Sequence, residues 1–160
     1  MKMGKLKKRD LLAKTITALK KKGKTVSFAN GCFDIMHVGH VRFLEAAKAK
    51  ADVLVLGLNS DSSVRKLKGK GRPLVNQDER AEILSAFSCV DYIVIFNELT
   101  VDKTLEVLRP TYHCKGTDYT ADTVPEKDIA KKLGIKIAIV GDPKDHSTKD
   151  IIKNIVEKYN

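Results

Sequence analysis

No apolar run in this sequence approaches the roughly 18 residues needed to cross a bilayer as a helix. The Lys-rich amino terminus has no apolar stretch behind its basic residues, so no secretory signal is expected there. Cysteine is scarce: Cys32, Cys89 and Cys114 form an odd, widely spaced set of three. Such a set makes no disulfide framework and points to a reducing compartment, read as the cytoplasm. No internal repeat, low-complexity tract or linker divides the chain. What remains is 160 residues with 42% hydrophobic and 31% charged side chains, an ordinary globular balance. That balance excludes a disordered tail, a collagen-like fibre and a stapled miniprotein. One domain over residues 1–160 is expected, large enough to bury roughly 70% of its unfolded surface.

The formal charge of +10 invites a nucleic-acid partner, but its distribution argues otherwise. Residues 1–24 hold ten Lys/Arg against Asp10 alone, a net of +9, whereas residues 25–160 hold twenty against nineteen acids, a net of +1. The excess is one terminal segment rather than a face. It reads as a solvated basic helix; the alternative is an arm that touches RNA or attracts anionic metabolites. Nucleic acid is therefore not the expected partner.

Hydrophobic periods alternate along the chain. A helical stripe of Leu12, Ile16 and Leu19 within residues 5–22 ends at Gly23, and strands are expected at 25–29, 53–58, 91–96, 112–115 and 135–140. Helices are expected at 41–50, after Asn76, at 101–108, 125–133 and 147–158, with a flexible basic loop over 62–75. Alternating strands and helices predict an α/β fold, a doubly wound parallel five-stranded sheet with helices on both faces. Ligands of such sheets bind beyond the carboxyl ends of the strands. The five segments that follow the strands, all polar or Gly-rich, are expected to converge on one cleft.

The first of these segments, residues 30–40 (NGCFDIMHVGH), is the most informative. Gly31 permits close backbone approach to a ligand. If the helix begins near Val38 or Gly39, His37 and His40, with Gly39 between them, fall on one side of its N-terminus, where free N–H groups and the dipole favour an anion. Two imidazoles in such a cradle suit a phosphoryl group that gains charge during transfer. Cys32, His37 and His40 also contain metal-ligand types, but an H-x-x-H pair supplies only two ligands, and no metal site is expected. The basic stretch Arg65–Arg72 reads either as a solvated charge run or as a mobile phosphate clamp, with Arg80 on the next helix in reach of phosphate. Ser147 and Thr148 read either as an N-cap or as ligands of a β- or γ-phosphate at a second helix N-terminus.

The stretch Asn30-Gly31-Cys32-Phe33-Asp34-Ile35-Met36-His37-Val38-Gly39-His40 resembles the G-x-F-D-x-x-H-x-G-H signature of the cytidylyltransferase-like nucleotidyltransferases. Further stretches are Asn59-Ser60-Asp61, Arg65-x-Leu67-Lys68-Gly69 with Arg72-Pro73, Val90-Asp91-Tyr92, and Leu108-x-Pro110 leading to Lys115-Gly116-Thr117-Asp118-Tyr119. With Ser147-Thr148 and Ile151-Ile152, they are similar to the D-glycero-β-D-manno-heptose 1-phosphate adenylyltransferases, over about residues 11–157. The resemblance implies a Rossmann-like form of the sheet and transfer of AMP from ATP, with Mg²⁺, to a sugar 1-phosphate. It also implies a homodimer; the kinase half found in bifunctional relatives is not expected in this sequence.

Carried over position by position, the resemblance assigns His37, His40 and Lys68 to catalysis. Gly31, Cys32, Phe33, Asp34, Gly39, Arg80, Lys115, Gly116, Asp118, Ser147 and Thr148 fall to the nucleotide, with Asp118 near base or ribose and Ser147 and Thr148 on the β- and γ-phosphates. Asn59, Asp61, Lys68 and Arg72 fall to the acceptor. The sequence departs from the family at Lys149-Asp150, where Thr-Asn is usual, and at Asp145 and His146, where small residues are usual. Pro143-Lys144-Asp145 interrupts the motif of the glycerol-phosphate cytidylyltransferases, which disfavours CTP. Glycerol-3-phosphate or ethanolamine-phosphate cytidylyltransferases and FAD synthases remain alternatives, as does a non-catalytic nucleotide- or RNA-binding module. The module reading predicts that deleting residues 1–10 abolishes its partner; the enzyme reading predicts that turnover survives the deletion.

Overall fold

A computed structural model of the chain describes residues 3–159. Met1 and Lys2 of the basic segment, and Asn160 at the other end of the expected domain, lie outside the described residues. The strands are β1 (Val26–Gly31), β2 (Val53–Asn59), β3 (Tyr92–Phe96), β4 (Tyr112–Lys115) and β5 (Lys136–Ile139). The helices are α1 (Arg9–Lys21), α2 (Val38–Lys48), α3 (Asp61–Lys68), α4 (Gln77–Ser85), α5 (Asp102–Leu108), α6 (Lys127–Leu133) and α7 (Thr148–Tyr159). All neighbouring strands pair in parallel in the order β3-β2-β1-β4-β5. The doubly wound sheet expected from the sequence is therefore what the chain forms.

Alternation along the strands sorts side chains to the two faces of the sheet. Leu54, Leu56 and Leu58 of β2 join Leu44 and Ala47 of α2 and Ala81 and Leu84 of α4 on one face. Val55 of the same strand joins Leu12 and Ile16 of α1, Leu105 and Leu108 of α5 and Ala130 of α6 on the other. Each fully buried Leu or Ile contributes roughly 1.5–3 kcal/mol. Helix ends follow local chemistry. The Asn76 side chain accepts the N–H groups of Asp78 and Glu79 to start α4. Gly134 ends α6 in the left-handed region at φ 68°.

One expectation needs correction. Residues 62–68, read as part of a flexible loop over 62–75, belong to α3, started by the Ser60 hydroxyl accepting the Ser63 N–H. The helix was concealed because Val64 is its one buried large apolar residue, so it carries no periodic stripe. The basic amino-terminal segment, read as a solvated helix with a free arm as the alternative, forms α1 and is anchored along one stripe. Leu12 and Ile16 of α1 are buried in the core. Leu6 bridges to Ile93, and the Lys7 N–H donates to the Ile93 carbonyl at 2.9 Å, which continues the sheet past the edge strand β3. The Arg9 guanidinium grips both Glu98 oxygens at 2.8 Å, and the Lys5 ammonium donates to the Phe87 carbonyl at 2.8 Å. The lysines stay wet because the helix buries only one stripe.

Candidate functional site

Strand order reverses between β1 and β4, and a cleft of about 920 Å³ opens there. It is formed by the segments after β1, β4 and β5, with Lys68 and Arg72 closing one side. Three of the five post-strand segments therefore converge, not all five. The segments after β2 and β3 lie beyond the reversal and are occupied otherwise: Ser60 caps α3, and Glu98 holds Arg9.

His37 is the residue before α2, in an extended conformation (φ −143°, ψ 171°), so both imidazoles of the pair sit at the helix N-terminus. The rings stack with centroids 3.8 Å apart. The His37 backbone N–H donates to His40 Nδ1 at 3.4 Å. This hydrogen bond places the His40 proton on Nε2, leaving that nitrogen as a donor. Burial, then the fields of His37 and Lys144, push His40 down to about 4, so it is a neutral donor near pH 7. His37 is also lowered, by burial first and then by His146 and Lys144. Its Nδ1 is buried with no hydrogen-bond partner among the described residues.

The backbone around the pair is shaped for close contact. Phe33 takes a left-handed φ of 47° and packs its ring 5.1 Å from that of His40. A Cβ on Gly31 would lie 2.9 Å from the Phe33 ring, which explains the glycine there. Gly31, Cys32, Phe33, His37, Gly39 and His40 all line the cleft, as the motif implied.

The cationic side divides into groups that face the cleft and groups that build it. Lys68 at the end of α3 is exposed and lines the cleft. Arg72 lines it too, while its Nε donates to Asp34 at 2.6 Å. Asp34 was assigned to the nucleotide, but its buried carboxylate also accepts the N–H groups of Leu74 and Val75 at 2.8 and 2.9 Å. Burial raises its pKa, but those N–H groups and Arg72 outweigh burial and hold it below the usual carboxylate range. Asp34 thus anchors the 72–75 segment.

Arg80, assigned to phosphate, is 0% exposed. Its guanidinium donates to the carbonyls of Val75, Cys32 and Asn59 and to the Asp61 carboxylate, at 2.6–2.9 Å. It ties the ends of β1 and β2 together from below. Asn59 and Asp61, assigned to the acceptor, are corrected likewise: Asn59 is buried and donates to the Ser63 hydroxyl at 2.9 Å, and Asp61 holds Arg80. Neither lines the cleft.

On the opposite wall, Lys115 reaches over the Tyr119 ring at 4.7 Å and lies 3.6 Å from Glu126. Glu126 is buried and also meets His113 Nε2 at 3.3 Å. Burial raises the Glu126 pKa; His113 and Lys115 more than reverse this, so it is held below its ordinary value. Gly116 lines the wall, where a Cβ would lie 2.9 Å from Asp118. Asp118 pairs with Lys144 at 3.0 Å. Ser147 and Thr148 line the cleft, but their hydroxyls are engaged: Ser147 donates to Asp150 at 2.6 Å, and Thr148 donates to the Ile35 carbonyl at 3.1 Å. Any phosphate there meets the backbone N–H groups of α7. The sequence reading missed Tyr119, Glu126, His113 and Lys144 as parts of this site. Glu126 had no local signal, since the fold brings it to His113 and Lys115 from outside β4; His113 stands two residues before Lys115, on the same face of that strand. No group of three or more His, Cys, Asp or Glu among the described residues is placed to hold a metal ion.

A parallel sheet with paired imidazoles at a helix N-terminus beside its point of reversal is the plan of a nucleotidyltransferase. The chain belongs to the cytidylyltransferase-like family, whose pattern matches residues 28–157. It is 48% identical over 155 residues to the bifunctional protein HldE of Geobacter sulfurreducens, an alignment covering 97% of this chain and 32% of that protein. HldE of Geobacter metallireducens is 49% identical over the same coverage of each. The chain thus spans about a third of the length of these curated relatives. Among solved structures it resembles the lipopolysaccharide core biosynthesis protein of Thermoplasma volcanium, with a TM-score of 0.66 and 28% identity, covering 76% of this chain and all of that one.

Proposed function

We propose that the chain transfers AMP from ATP to D-glycero-β-D-manno-heptose 1-phosphate, giving ADP-heptose and pyrophosphate. One observation carries nucleotidyl transfer: the stacked His37–His40 pair at the start of α2, sharing one cleft with Lys68, Arg72 and Lys115. The choice of acceptor rests on the motifs shared with heptose 1-phosphate adenylyltransferases and on likeness to bifunctional HldE proteins over 97% of the chain.

The reaction would be an in-line displacement. An acceptor phosphate oxygen bonds to the α-phosphorus as the bond from that phosphorus to the bridging oxygen breaks, and pyrophosphate leaves with the electron pair. The acceptor oxygen is already ionised at neutral pH, so no general base is needed. Lys68 and Arg72 hold the acceptor phosphate against the α-phosphate. His40 Nε2–H and His37 donate to oxygens that gain charge in the transition state. The N–H groups of α2 and α7 take the rest of the triphosphate. Mg²⁺, when bound to the triphosphate, neutralises part of its charge; oxygens of the substrate suit it better as ligands than this cationic wall does.

Three free cysteines fit a reducing compartment, and the proposal places the protein in the cytoplasm as a homodimer. No helix among the described residues is long and apolar enough to cross a membrane. The test is mass spectrometry of the product formed from ATP, Mg²⁺ and heptose 1-phosphate. ADP-heptose supports the proposal. Conversion of another acceptor in place of the heptose phosphate overturns it.

A further inference from the structure

We infer that His146 is a third phosphate-contacting imidazole of this site, directed at the leaving pyrophosphate; the inference rests on the adenylyl-transfer reading above. The His146 ring lies 6.4 Å, centroid to centroid, from that of His37, which stacks on His40 at 3.8 Å. All three imidazoles line the cleft. They join the N-terminus of α2 to that of α7, because His146 directly precedes Ser147, whose hydroxyl accepts the Asp150 N–H.

Gly39 lies between the two histidines. A Cβ there would lie 3.0 Å from His37 Nδ1, a tight contact, and 3.5 Å from His146 Cβ, an ordinary one, so the glycine lets the His37 ring sit close to the backbone. His37 Nδ1 is buried with no hydrogen-bond partner among the described residues. The one contact that could otherwise explain His146 is an Asp145 carboxylate oxygen 3.4 Å from its Nε2. Both side chains of that pair are more than two-fifths exposed, and such pairs hold little. The neighbouring charges include Lys144, paired with Asp118, Lys149, and the Asp150 carboxylate held by Ser147; both lysines line the cleft.

Pyrophosphate gains charge as the bond to the α-phosphorus breaks, and a donor placed there stabilises it. The weak Asp145 contact leaves the ring at the edge of the cleft, where its N–H can reach a phosphate oxygen. His146 is thus read as a contact to the β- or γ-phosphate rather than to the acceptor.

Calorimetric binding of inorganic pyrophosphate to the full chain tests this directly. His146→Ala should weaken binding about ten- to hundred-fold, as expected for one hydrogen bond to a charged group, and raise the KM for ATP while leaving the KM of the acceptor phosphate unchanged. His146→Gln, which keeps a donor, should recover part of the loss. Equal pyrophosphate affinity in wild type and His146→Ala, or failure of the wild type to bind pyrophosphate, overturns the inference. Because this binding needs no turnover, the two readings separate. His146-dependent binding in a protein that makes no ADP-heptose would sink the proposed function alone; ADP-heptose synthesis with His146-independent binding would sink this inference alone.

Discussion

The imidazole of His40 lies against that of His37 with 25° between the ring planes, and its Nδ1 accepts the His37 backbone N–H. The pair is therefore set before any substrate arrives: one hydrogen bond fixes both ring position and tautomer. His40→Ala should lower turnover about 10²- to 10³-fold, the cost of losing one well-placed donor. Steady-state kinetics would show it, with thermal unfolding as the control for folding. Intact turnover would remove His40 from the mechanism.

The titration of His40 gives a signed pH prediction. Its folded pKa is about 4, lowered mainly by burial, whereas an unfolded histidine titrates near 6.5. Below about 6.5 the unfolded chain takes up a proton that the folded chain refuses, so stability should fall as pH drops from about 6.5 to about 4. Denaturant titrations across that range should show a shallower fall for His40→Gln. Pyrophosphate should raise the His40 pKa, read from its ring resonances by NMR. A free-protein value near 6.5 would show that the ring is not held as described.

Arg80 is a buried hub, and its removal strands a carboxylate and several carbonyls. Arg80→Ala should cost about 3–5 kcal/mol in urea denaturation, in the range for breaking a buried ion pair. Unchanged stability with a raised KM for ATP would instead place Arg80 on phosphate.

Glu126 acts through Lys115. With the carboxylate neutralised in Glu126→Gln, Lys115 loses its anchor 3.6 Å away, and the KM for ATP should rise several-fold while kcat changes little. A loss in kcat with KM unchanged would argue that the buried carboxylate has another task.

The amino-terminal segment gives a fifth test. Deleting residues 1–10 removes the edge bond to Ile93 and the two-pronged Arg9–Glu98 pair. That should cost about 1–3 kcal/mol, several degrees in Tm. Turnover at low temperature should persist, because the segment lies away from the cleft. Loss of ATP binding without loss of Tm would revive the arm as a ligand-binding element.

Much of this fold is legible from period alone. The near-continuous apolar run over residues 53–58 marks a strand covered on both faces, and β4 falls on the four residues expected. Helix α3 is not legible that way, since it buries little apolar surface, although Ser60 before Asp61 is a readable N-cap. In the site, His37, His40, Gly31 and Gly39 could be placed because their chemistry is local to eleven residues. Arg80, Asp34, Asn59 and Asp61 could not. A charged or polar side chain beside a cleft either faces it or braces it from behind, and only the three-dimensional register decides. The same limit hid Glu126, which lies eleven residues beyond the lysine that it holds.

The most direct test of the central claim is pyrophosphate release with Mg²⁺, crossing ATP and CTP with heptose 1-phosphate, glycerol 3-phosphate, ethanolamine phosphate and FMN. The account predicts release with ATP and heptose 1-phosphate alone, abolished or strongly reduced in His40→Ala. Release with CTP, with another acceptor in place of the heptose phosphate, or with no pair at all would contradict it.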